Sequence, residues 1–112
     1  MKEIKAFIHA HRVSDVLQAI KEVDSSGMQI SNFAVFPVQA LLHETELKEA
    51  RYSVNLGETV INEFKIEVLC HEEAVANLVE VIQRVGHTGD YEEGWIIVTD
   101  VLSAVPVGKV HK

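Results

Sequence analysis

Two stretches of period-two apolar alternation each lead into a stripe of helical spacing, and a further alternating stretch follows each stripe. Ile4, Ala6 and Ile8 alternate over residues 2–9, with Phe7 turned to the other face. Val13, Val16, Leu17, Ile20 and Val23 then recur at helical spacing, and Asp24-Ser25-Ser26-Gly27 ends the run. Ser14 and Asp15 offer side-chain oxygens for the helix start. A second strand is expected over 28–36, with Met28, Ile30, Phe33, Val35 and Phe36, stopped by Pro37. Residues 58–70 alternate again through Val60, Phe64, Ile66, Val68 and Cys70. Ala74, Val75, Leu78, Val79, Val81, Ile82 and Val85 make a second helical stripe from Glu73 to Val85, and Trp95–Val101 is a fourth strand.

The order β-α-β-β-α-β has few solutions. A strand is apolar on one face and a helix along one stripe, so both must bury against each other. The expected fold is α+β and ferredoxin-like: a four-stranded antiparallel sheet with two helices on one face. At 112 residues the chain is one domain, 1–112. Residues 37–57 are polar and long for a compact domain, which points to a functional or disordered connection. Residues 102–112 show little pattern.

Charge and composition exclude several classes. The net charge of −7 opposes a phosphate-neutralising face, so no nucleic-acid partner is expected. No run approaches eighteen apolar residues, so no membrane insertion is expected. The first residues carry no secretory pattern, which points to the cytoplasm. The lone Cys70 rules out an internal disulfide and reads as a small buried hydrophobe.

The chemistry-bearing stretch is Thr88-Gly89-Asp90-Tyr91-Glu92-Glu93-Gly94-Trp95, within a glycine loop spanning 86–94. Glycines at its ends let backbone approach a ligand closely. That layout suits effector binding, not catalysis. No Gly-x-Ser-x-Gly or Walker loop is present. A small acylphosphatase shares this fold, but Arg12 is the only residue that could serve its phosphate cradle. The chain is therefore read as a non-enzyme. His9 and His11, two apart on a strand, share a face and could reach one ion.

The chain resembles the PII signal-transduction family. The likeness runs from Met1-Lys2 through Gly27-Met28. It resumes at Ala50-Arg51-Tyr52-Ser53-Val54-Asn55, at Lys65-Ile66-Glu67-Val68, and at Thr88-Gly89 with Gly94 and Ile96-Ile97-Val98. The resemblance implies a homotrimer that binds adenine nucleotides between subunits. It also implies a T-loop, here 37–55, that plugs into a membrane transporter or a metabolic enzyme. It assigns effector binding to Phe36, Gln39, Glu67, Thr88, Gly89, Gly94 and Lys109. It assigns partner contact to Glu44, Glu46, Lys48, Arg51 and Tyr52, where Tyr52 matches a tyrosine that is nucleotidylated in some members.

The chain departs from the family pattern where phosphates are held. The family's Gly-Phe-Gly-Arg-Gln reads Val35-Phe36-Pro37-Val38-Gln39. The middle glycine of the phosphate loop is Glu92 and its lysine is Trp95. The Arg-x-Arg after the last strand is missing, leaving Lys109. A triphosphate needs several cations or free N–H donors. No cofactor is required, and the expected effector is ADP, AMP, ATP or another small anion, with the γ-phosphate penalised. A second reading is a CutA-like divalent-metal-binding trimer using His9 and His11.

Overall fold

The computed structural model describes residues 1–27, 30–41, 51–89 and 94–108. Strands β1 (Lys2–His9), β2 (Ile30–Leu41), β3 (Arg51–Ser53), β4 (Glu58–Cys70) and β5 (Ile96–Asp100) form one antiparallel sheet. Helices α1 (Val13–Ser25) and α2 (Glu72–Gly86) accompany them. The main path runs β2-β4-β1-β5, with β3 pairing only with β4.

Register places the core. Ile4 pairs with Val68 and Ala6 with Ile66 across β1 and β4. Ile96 sits opposite Ala6 on the far side. These side chains share one sheet face. Val16 and Ile20 of α1 and Ala74, Leu78 and Ile82 of α2 join them in a single buried cluster. Each fully buried valine, leucine or isoleucine side chain there contributes about 1.5–3 kcal/mol. Cys70 is wholly buried among them, and desolvation pushes its thiol pKa up.

Local chemistry sets the helix limits. Arg12, not Ser14, is the N-cap of α1, and no side chain caps it. The Arg12 guanidinium instead donates from Nε and Nη2 to the Val85 carbonyl, and its Nη1 lies 3.2 Å from Asp15. That commits the arginine to joining the start of α1 to the end of α2, and the phosphate-cradle role considered for Arg12 has no support. Gly27, at φ +100, ends α1 with its N–H donating to Asp24 O. Glu72 and Glu73 fall in the first turn of α2, where the helix dipole favours acids.

Two features differ from the sequence reading. Pro37 does not stop β2; the strand continues to Leu41, with Pro37 opposite Phe64. β2 is an edge strand, so the missing proline N–H can face outward. At the other end of the expected connection, Arg51–Ser53 pair with Glu58–Val60. The segment 37–55 is therefore strand at 37–41 and 51–53, followed by a turn. Leu56 N–H donates to Ser53 Oγ and Gly57 N–H to Ser53 O, which closes that turn.

The sheet face opposite the helices carries Phe7, Phe36 and Leu69 among charged residues. Lys65 stacks over the Phe36 ring at 4.9 Å and pairs with Glu67 at 3.2 Å, while Lys5 pairs with Glu3. This face mixes apolar and paired polar groups, more so than alternation alone suggested.

Candidate functional site

One end of the sheet gathers the roots of two segments. β1 ends there at His9, the 86–89 stretch leaves α2 there, and β2 and β4 leave as a paired arm toward Leu41 and Glu58. His9 and Glu63 face each other across β1 and β4. Nε2 of His9 lies 3.4 Å from Oε2 of Glu63, and the two side chains are 2% and 4% exposed. The His11 ring stands edge-on to His9, 5.8 Å away between centroids. Among the described residues no group of three or more His, Cys, Asp or Glu is placed to hold a metal ion.

Two clefts meet at this pair. One, of about 430 Å³, lies between α2 and the start of β5 and includes His9, Gln83, Gly86, His87, Gly94 and Trp95 in its walls. The other, of about 620 Å³, lies at the arm root, lined by Ala10, Pro37, Val38, Gln39, Asn62, Glu63 and Phe64. His9 is thus a wall of the first and Glu63 a wall of the second. No lysine or arginine is among the described residues lining either cleft.

The expected effector residues divide among three places. Gly94 borders the first cleft and Gln39 the second. Phe36 and Glu67 lie on the open sheet face beside Lys65. Thr88 and Gly89 follow α2, with Gly89 at φ +84 in open space. Lys109 lies outside the described residues, as do Glu44, Glu46 and Lys48. Arg51 and Tyr52 are exposed on β3. A single chain does not bring all the described effector residues into one pocket.

Gly94 has a role that the sequence did not reveal. A Cβ there would sit 1.9 Å from the Phe7 carbonyl oxygen. Its missing side chain admits the β1 backbone. The Phe7 N–H donates to Trp95 O at 3.0 Å in the same contact. Also unforeseen was Glu63, a buried acid in the β4 run. Its place opposite His9 depends on strand register, which one strand's pattern does not give.

Comparison with known proteins agrees with this architecture. The family model described as nitrogen regulatory protein P-II matches residues 1–109. The nitrogen regulatory protein P-II of Azospirillum brasilense is 32% identical over 108 residues, covering 96% of this chain and 91% of that protein. The nitrogen regulatory protein P-II 1 of Escherichia coli (strain K12) and the P-II protein of Klebsiella oxytoca are similar to the same extent.

Proposed function

Because the chain belongs to the nitrogen regulatory protein P-II family of signal-transduction regulators, we propose that it binds a small effector and relays its presence to a transporter or enzyme. The effector is an adenine nucleotide such as ADP or AMP, or another small anion, held between subunits of a homotrimer. The output is the segment between β2 and β4, with Glu44, Glu46, Lys48, Arg51 and Tyr52 as contact residues.

One observation carries this reading: the glycine-loop root and the arm root adjoin at the His9–Glu63 pair. A ligand that shifts one wall of that pair must act on the other, since buried packed groups do not deform independently. The division of Phe36, Glu67, Gln39 and Gly94 among separate surfaces supports a site completed by a second copy. Exposed Val35, Phe36, Ile97 and Val98 supply apolar area for such an assembly. Among the described residues, no helix is long and apolar enough to cross a membrane.

The test is a thermal-shift panel of ATP, ADP, AMP, cyclic nucleotides, bicarbonate, zinc and copper. A ligand of the native state raises the melting temperature by mass action. Stabilisation by an adenine nucleotide is the expected result. Stabilisation by zinc or copper alone would replace this reading with the metal-binding one.

A further inference from the structure

We infer that the cleft between α2 and the start of β5 is a binding site for an uncharged, nucleoside-sized heteroaromatic molecule, with Trp95 as its stacking face. The site is separate from the intersubunit effector site proposed above, and the inference rests on that reading only for the claim that the occupant is a signal.

Size and lining select the ligand. The cleft holds about 430 Å³, within the range of small-molecule sites. Its floor is apolar, from Val79, Ile82 and Ile96, and the Gln83 amide supplies both a donor and acceptors at the wall. Lysine and arginine are absent from its described lining, and the chain as a whole carries −7. Phosphate groups would find no permanent cation among the described lining, only the imidazoles of His9 and His87, and would be repelled over longer range. A flat neutral ring with polar edges meets none of these penalties.

Trp95 is fixed yet uncovered. Its carbonyl accepts from Phe7 N–H, and Gly94 before it is wedged against the Phe7 backbone. The indole is nevertheless 75% exposed at the mouth of the cleft. A large exposed ring on an anchored stretch of backbone can stack on a flat ligand, and only its side-chain rotation remains to be ordered.

The chain has one tryptophan, so its fluorescence reports this site alone. The experiment titrates the full chain with adenosine, guanosine, cytidine and uridine, then with AMP and ATP. The expected result is a saturable emission change with at least one nucleoside, no tighter binding of its monophosphate, and weaker binding of its triphosphate. By calorimetry Trp95→Ala should weaken nucleoside binding about tenfold, the scale of one lost stacking contact, while Trp95→Phe retains most of it. Val79→Phe, which narrows the cleft without touching Trp95, should abolish binding. If Trp95→Ala loses its native circular dichroism, Val79→Phe decides alone. No saturable change with any nucleoside, affinity that climbs with each phosphate, or full affinity in Val79→Phe would overturn the inference. A nucleotide-dependent thermal shift that survives Val79→Phe would leave the intersubunit effector reading standing and remove only this one.

Discussion

His9 and Glu63 face each other across the central strands at 3.4 Å, and each is almost wholly hidden from water. Burying two ionisable groups is costly unless they satisfy one another. Removing one partner takes this contact from the other, which stays buried, so the single changes should cost more than their combination suggests. Glu63→Ala should therefore cost about 3–5 kcal/mol. His9→Phe combined with Glu63→Leu should cost well under the sum of the single changes. Urea denaturation of wild type, His9→Phe, Glu63→Leu and the double variant measures the coupling, and additive losses would show that the pair does not act as a unit.

The two loop glycines should respond differently to alanine. Gly94→Ala forces a methyl into the Phe7 carbonyl and must move β5 away from β1. A loss of about 2 kcal/mol or more is expected, with faster amide exchange along Ile96–Asp100. Gly89→Ala meets open space but an unfavourable φ of +84, so its cost should stay near 1 kcal/mol. Equal losses would contradict the close-approach reading of Gly94.

Assembly should bury the open sheet face and the exposed apolar side chains near it. Light scattering at micromolar concentration should give about three times the chain mass of 12.5 kDa. Phe36→Glu adds a charge to that face at a position 42% exposed in the single chain. It should weaken the oligomer and leave the circular dichroism of the subunit unchanged. A monomeric wild-type protein would remove the intersubunit site.

Lys2 and Asp100 make a hydrogen-bonded ion pair that joins the first and last strands, with Glu72 3.7 Å from the same ammonium. Lys2 holds the Asp100 carboxyl below its usual range. The pair therefore contributes stability above the ordinary carboxylate pKa, and the contribution disappears as pH falls through the lowered value. Asp100→Asn should melt earlier than wild type at neutral pH, by a small margin at so exposed a site. The two curves should converge in strong acid. A difference that persists there would assign the effect to packing.

Much of the fold was legible because burial imposes periodicity. Ile4, Ala6 and Ile8 alternate because β1 buries one face, and Leu78, Val81 and Ile82 recur because α2 buries one stripe. The extension of β2 past Pro37 was hidden because an edge position, a property of the whole sheet, makes proline tolerable there. β3 was hidden because Arg51-Tyr52-Ser53 carries no alternation of its own and is strand only through pairing with β4. For the site, the glycine loop and Gln39 were visible as residue types. The cleft beside Trp95 and the His9–Glu63 wall were not, since both come from tertiary register.

This P-II family member is proposed to bind a small effector although its sequence lacks the lysine and the Arg-x-Arg of the family's phosphate-binding pattern. Calorimetric titration of ATP, ADP and AMP into the assembled protein tests this proposal most directly. The expected result is saturable binding in which ADP or AMP is held at least as tightly as ATP, because the sequence has Glu92 and Trp95 in place of the glycine and lysine of the family's phosphate loop. Clearly tighter binding of ATP, or no binding of any of the three, would contradict it.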